Sequence, residues 1–233
     1  MKSKLLRVNP LINKKNLLEN IKPYIYNKDN SGFFNQYETA RKGFGNILNK
    51  PNSENVLQKY LEKHPILFLN AGLKGFFPFA SRRCAFFSKI QLGECFETDF
   101  AFVHADSTGA CWFFIEIERA DVELFNKKGD MKPSLSHAIR QITDWQSWIK
   151  DNKPYAQSRL DELLKSVGIH KDTEFFVDPK FIIIIGRRPT LNKDTNRRRI
   201  EIHNQNPRLE IITYDRLTEP FSFTNDEDEL RIE

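Results

Sequence analysis

Cysteine is scarce in this chain of 233 residues: Cys84, Cys95 and Cys111 are the whole supply, an odd number with no CxxC pair among them. That argues against a disulfide framework and a zinc ribbon, and leaves buried, reduced thiols as the expectation. Missing as well is any stretch near the roughly 20 apolar residues that cross a bilayer. The Lys-rich start carries no apolar segment of the secretory kind. A reducing, cytoplasmic setting with no membrane partner is therefore expected. No internal repeat or long low-complexity linker interrupts the chain, and its length suits one substantial core with an appendage. Apolar content is low at 39%, yet concentrated in runs such as FIIIIG at 181–186, which a disordered chain lacks. The net charge of +5 permits a polyanionic partner without requiring one.

Residues 1–52 are polar and rich in Asn and Lys, with short amphipathic pieces, and read as an N-terminal helical extension. Within it FFNQYETARKGFGNILNK has a helical pattern that Gly43 and Gly45 weaken. A firmer helix follows a Ser53 cap, with Val56, Leu57, Tyr60 and Leu61 at helical spacing and Pro65 as its stop. Glu54 lies in its first turn, where a carboxylate suits the helix dipole. Three strands come next, at 82–93, 97–105 and 110–120, the last two joined by DSTG at 106–109 as a tight hairpin. After Pro133 a strong helix carries the stripe Leu135, Ile139, Ile142 and Trp145, with Gln141 at its edge. His137, Trp145 and Trp148 are expected to pack the helix rather than stack on bases. KFIIIIGRR shows no alternation, as a strand covered on both faces should not. A basic helical run, NKDTNRRRIEIHNQN, and a last strand, RLEIITYDRL, complete the core. The expectation is an α/β fold whose mixed sheet is flanked by helices in the order helix, three strands, helix, strand, over 53–217, followed by an acidic tail at 218–233.

The stretch CWFFIEIERAD at 111–121 carries the chemical signal. In a strand Trp112, Phe114, Glu116 and Glu118 share one face, which turns from aromatic to acidic along its length. Counting outward from the hairpin sets Asp99 opposite Glu116, with a bulge able to shift the register by one. Asp99, Glu116 and Glu118 then crowd together, and three carboxylates so close raise each other's proton affinity. A hard divalent cation resolves that conflict. Mg²⁺ is held by one or two carboxylates, waters and substrate phosphates, and activates water for phosphodiester hydrolysis. The pattern points to metal-assisted cleavage of nucleic acid.

The order of a helix with Glu54, then Asp99 and Glu116-Ile117-Glu118 on a hairpin, then Gln141 in HAIRQITDW, resembles the PD-(D/E)XK nuclease superfamily. With TDF, IEIERAD, LF, IIIIGRR and ITYDRL added, the set looks like the Shedu anti-phage defence proteins, from about Glu54 to Leu217. The resemblance implies a restriction-endonuclease-like core, Mg²⁺ with Mn²⁺ as a substitute, DNA as substrate, defence against phage and a homo-oligomer. It assigns Asp99 and Glu116 as metal ligands, Glu118 as ligand or general base, and Gln141 as an orienter of metal-bound water or substrate, with Glu54 completing the acids. Glu118 stands where the superfamily usually has lysine. Three readings follow: an active ExE variant, a lysine from elsewhere such as Lys89, or an inactive nucleic-acid-binding or sensor protein. Arg187, Arg188 and Lys89 are candidate phosphate contacts. Arg197, Arg198 and Arg199 are either further contacts or a solvated helix face.

Overall fold

Bulky residues alternating along two consecutive segments make them strands with two usable faces, and the structure builds outward from that pair. The computed structural model describes residues 24–26, 33–50, 53–68, 83–106, 109–169 and 178–220. Its central strands are β5 (Phe100–Asp106) and β6 (Gly109–Ile117), antiparallel, with rungs running from Asp106↔Gly109 to Phe100↔Ile115. β2 (Arg83–Ser88) pairs antiparallel with β5, and β1 (Tyr24–Tyr26) with β2. On the other side β7 (Lys180–Ile184) runs parallel to β6, and β8 (Leu209–Ile212) parallel to β7. The resulting six-stranded mixed sheet has the order β1-β2-β5-β6-β7-β8. A separate two-stranded ribbon of β3 (Gln91–Leu92) and β4 (Phe96–Glu97) lies in the chain between β2 and β5.

The period of two sorts the central strands between two layers of helix. Phe100, Phe102, Phe113, Ile115 and Ile117 pack in one core with Tyr37 and Phe44 of α1 (Phe33–Leu48) and with Leu57 and Leu61 of α2 (Glu54–Lys63). Ala101, Val103, Trp112 and Phe114 pack in the other with Leu135, Ala138, Ile142 and Trp145 of α3 (Pro133–Asp151). α4 (Lys153–Ser166) joins that second layer, and α5 (Lys193–Gln205) precedes β8. Phe181 to Ile184 of β7 are all buried, as expected of a strand covered on both faces.

Several elements differ from the sequence reading. The extension expected to be helical also supplies an edge strand, β1, and most of its remaining residues, like 221–233 of the acidic tail, lie outside the described residues. α1 forms despite its glycines because Gly43 leaves room for the Tyr60 hydroxyl, which donates to the Ala40 carbonyl at 3.0 Å. Ser53 occupies the N-cap position of α2, but its side chain makes no capping bond. α4 was not anticipated, although Ala156, Leu160, Leu163 and Leu164 are buried at helical spacing behind a Pro in its first turn. The expected strand at 82–93 stops at Ser88, because Lys89 turns the chain with φ of 56°. Among the thiols, Cys84 is buried and pushed up to about 12 by burial, Cys111 is half-buried, but Cys95 is exposed on the ribbon.

Where β7 ends, Gly186 adopts φ of +67°, its N–H donating to the Arg119 carbonyl at 3.1 Å and its carbonyl accepting from the Tyr214 N–H at 3.2 Å. A Cβ there would stand 2.8 Å from the Val122 carbonyl oxygen and 2.9 Å from Leu124 Cδ1. Gly186→Ala is therefore expected to lower stability by roughly 1–3 kcal/mol, read as a fall in the urea midpoint. An unchanged midpoint contradicts that close packing.

Candidate active site

Phe100↔Ile115 is the last rung between β5 and β6, so Asp99 and Glu116 lie abreast just past it, in the register counted from the hairpin. No bulge has shifted it. There the chains part, and the Ile117 N–H finds its acceptor in Asp99 Oδ2 at 3.0 Å rather than in a backbone carbonyl. The positive φ of Lys89 lets it meet Asp99 twice: its N–H donates to the Asp99 carbonyl at 3.1 Å, and its ammonium lies 2.7 Å from Oδ1. Lys89 is the one non-glycine with positive φ among the described residues, a conformation that costs about 1–3 kcal/mol and clusters at functional sites.

Glu116 is only 7% exposed, on the α3 side of the sheet. Gln141, from the edge of the α3 stripe, donates from Nε2 to its Oε2 at 2.9 Å. Burial first, and then the charges of Asp99 and Glu118 with a direct carboxyl contact to Asp99, push Glu116 from the usual 4.5 to about 9. Glu118 is half-buried and raised to about 7 by burial, then by Glu54 and Asp99. Glu54 is raised by burial and by Asp99, against the pull of Lys89, Arg119 and His137. Its first-turn position in α2 thus brings it to the acids as well as to the helix dipole.

All five expected site residues, Glu54, Asp99, Glu116, Glu118 and Gln141, are gathered at one end of the sheet, and Lys89 is gathered with them. They do not form a ready cage. Among the described residues no group of three or more His, Cys, Asp or Glu side chains is arranged to hold a metal ion. Charge density and ligand convergence are separate requirements, and the site meets the first without the second. Its oxygens are already turned toward protein donors: both Asp99 oxygens toward Lys89 and Ile117, and one Glu116 oxygen toward Gln141. The chemistry of the donor set, hard oxygens short of positive charge, still suits a hard cation held by two carboxylates and waters.

Tyr214 is a further residue of this site that pattern reading did not find. Fully buried, it donates from its hydroxyl to the Glu118 carbonyl at 2.6 Å, while the Glu118 N–H donates to Ile184 at 2.9 Å. The backbone that presents Glu118 is therefore held from two sides. Burial, followed by the charges of Glu54, Asp99, Glu118 and Glu116, keeps the Tyr214 phenol well above its ordinary range. Its sequence signal was confined to the ITYDRL match, since nothing in spacing links position 214 to 118.

Of the expected phosphate contacts, Lys89 stands beside Asp99, while Arg187 and Arg188 are engaged with protein partners. Arg187 is bonded to Asp215 at 3.0 Å and to the Leu48 carbonyl at 2.5 Å, and Arg188 pairs with Glu219. Both tie the 214–218 turn to neighbouring structure. Arg199 bonds the Ile211 carbonyl, Arg198 lies over the Phe125 ring at 5.9 Å, and Arg197 pairs with Glu201. Trp145 is buried as expected and Trp148 partly so, but His137 is exposed and acts on Glu54.

A carboxyl that holds its proton more tightly folded than unfolded favours the fold fully at low pH, and that contribution fades as pH rises from about 4.5 through 9. In chelator the parent is thus expected to lose stability as pH is raised from 5 to 9. Glu116→Gln removes the buried charge, and is expected to exceed the parent at pH 9 by roughly 1–3 kcal/mol and to match it near pH 5. Parallel melting-temperature profiles for the two proteins across that range contradict the assignment.

No curated protein matches the chain. Residues 51–218 match the family model described as Shedu protein SduA, C-terminal. That match spans α2, all of the sheet but β1, and each of the gathered acids, and it places the chain in the Shedu family.

Proposed function

We propose that this protein is a metal-dependent endonuclease that hydrolyses DNA phosphodiester bonds, by a nick or a double-strand cut, in defence against phage. Membership of the Shedu family supports the defensive role. The observation that carries the nuclease reading is the placing of Asp99 abreast of the buried Glu116, with Glu118 and Glu54 adding like charge beside them. An arrangement so short of positive charge favours a site that works with a cation bound. The succession of α2, the β2-β5-β6 meander, α3 and β7 is the order expected of a restriction-endonuclease-like core. Homo-oligomerisation enters as an implication of the family alone.

In this reading Asp99 and Glu116 hold Mg²⁺, or Mn²⁺ in its place. The ion supplies Lewis-acid stabilisation of the phosphate and a lowered proton affinity for attacking water. Gln141 fixes the Glu116 carboxyl by its hydrogen bond, limiting the geometries open to it. Glu118, half-buried on a backbone clamped by Tyr214 and Ile184, serves as a further ligand or takes the proton of the attacking water. Lys89 fills the cationic role that position 118 lacks, orienting Asp99 and facing the charge that develops on the phosphate. That role differs from a phosphate-steering contact on the surface.

A second reading has one observation in its favour: the Lys89 ammonium already answers Asp99, as it would in a sensor that binds nucleic acid without cutting. A plasmid-nicking assay divides the two. The parent is expected to convert supercoiled plasmid in Mg²⁺ and not in chelator, and Glu116→Ala to be at least about 100-fold slower with its fold intact. Lys89→Met is expected to be about 10- to 100-fold slower. Binding without cutting by the parent supports the sensor, and unabated cutting by folded Glu116→Ala removes this site from the reaction.

A further inference from the structure

Next to the acids, between the β3–β4 ribbon and the outer side of α3, lies a pocket of about 240 Å³ lined by residues that include Glu97, His137, Arg140, Gln141 and Trp145. Both of its walls touch the acid cluster. Gln141 on one side bonds Glu116, and Glu97 on the other lies 3.8 Å from the Lys89 ammonium that holds Asp99. Arg140 lines it without a carboxylate or carbonyl partner among the described residues. Every other arginine whose side chain is described is met by a carboxylate, a carbonyl or, for Arg198, an aromatic ring. Arg140 among these residues has only the His137 ring, its NH2 group lying 3.2 Å from Nδ1. Where Nδ1 accepts from Arg140, the Nε2 of His137 is the ring nitrogen left to donate. Trp145 is fully buried, and its indole N–H has no hydrogen-bond partner among the described residues.

Such a wall suits a group made only of acceptors. We propose that this pocket binds a phosphodiester group of the nucleic-acid strand next to the one that is cut, with Arg140 as its main contact and the His137 ring as a supporting donor. The assignment rests on the nuclease reading, and it answers a problem that reading creates. Four carboxylates repel a polyanion, so strand phosphates flanking the acids need cations close by. Glu97 on the far wall is engaged by Lys89 and Gln91. Asp144, which also lines the pocket, is one carboxylate against these donors. His137, Arg140 and Gln141 sit at i, i+3 and i+4 on α3, so one helix face carries the strand from the pocket to the acids.

The test is the salt dependence of binding to a labelled DNA duplex, followed by fluorescence anisotropy with Ca²⁺ in place of Mg²⁺, together with cleavage kinetics in Mg²⁺. Arg140→Gln is expected to weaken binding about 5- to 20-fold, to lower the slope of log affinity against log salt by about 1, and to raise KM while leaving kcat within about twofold. Arg140→Lys should recover part of the affinity, and Arg159→Gln, on α4 and paired with Glu162, should match the parent. Equal affinity and slope for the parent and Arg140→Gln overturn the pocket assignment alone, provided the parent binds and cuts. A parent that neither binds nor cuts DNA overturns the nuclease reading and this assignment together.

Discussion

The structure turns on one constraint, the placing of the Asp99 carboxyl beside the buried Glu116 carboxyl with little water to screen them. Like charges at close range in a buried setting cannot both ionise without help. In the protein alone, help comes as a raised proton affinity at Glu116 and an ammonium from Lys89. An apolar pair would close the sheet against α3 more cheaply, since burying charged groups costs more than it returns in stability. That conflict, retained in a layer otherwise filled with aromatic and aliphatic side chains, is what supports placing the proposed active site at this end of the sheet.

Much of the surrounding architecture serves to hold the conflict in place. β5 departs from β6 just before Glu116, and the departure frees the Asp99 side chain to cap the Ile117 N–H. Lys89 accepts a strained backbone to reach Asp99 with both its N–H and its ammonium. On the other side, Gly186 and Tyr214 knit the exits of β6, β7 and β8 together, so that Glu118 leaves the sheet on a clamped backbone. Asp215, next to Tyr214, receives Arg187, which also reaches the end of α1 at Leu48. α1 lies outside the matched residues 51–218, yet it packs against the turn that supports the site.

The parts legible in the sequence were those governed by short-range rules. Alternation over CWFFIEI and the length of the DSTG turn set Asp99 opposite Glu116 to within the one residue a bulge adds, and the rungs show the unshifted register. The 3.6 period put Gln141 beside the apolar stripe of α3, where a single polar side chain can lean onto the sheet. What escaped depended on contacts distant in sequence. Tyr214 lies 96 residues from Glu118. Lys89 is a candidate from the sequence for the missing lysine, but the positive-φ turn that brings it to Asp99 is announced by no residue type. Arg187 and Arg188 looked available because their partners, Asp215 and Glu219, are far along the chain. α4 was legible in its leucines and was passed over. His137 was read as packing because helix periodicity does not say which turns face a neighbouring cleft.

The most direct measurement is a crystal structure of the protein soaked in Mn²⁺, with anomalous scattering used to place the ion. The account predicts one strong peak within about 2.0–2.3 Å of a carboxylate oxygen from both Asp99 and Glu116. A peak elsewhere, or none at these two carboxylates at a saturating concentration of the ion, contradicts it.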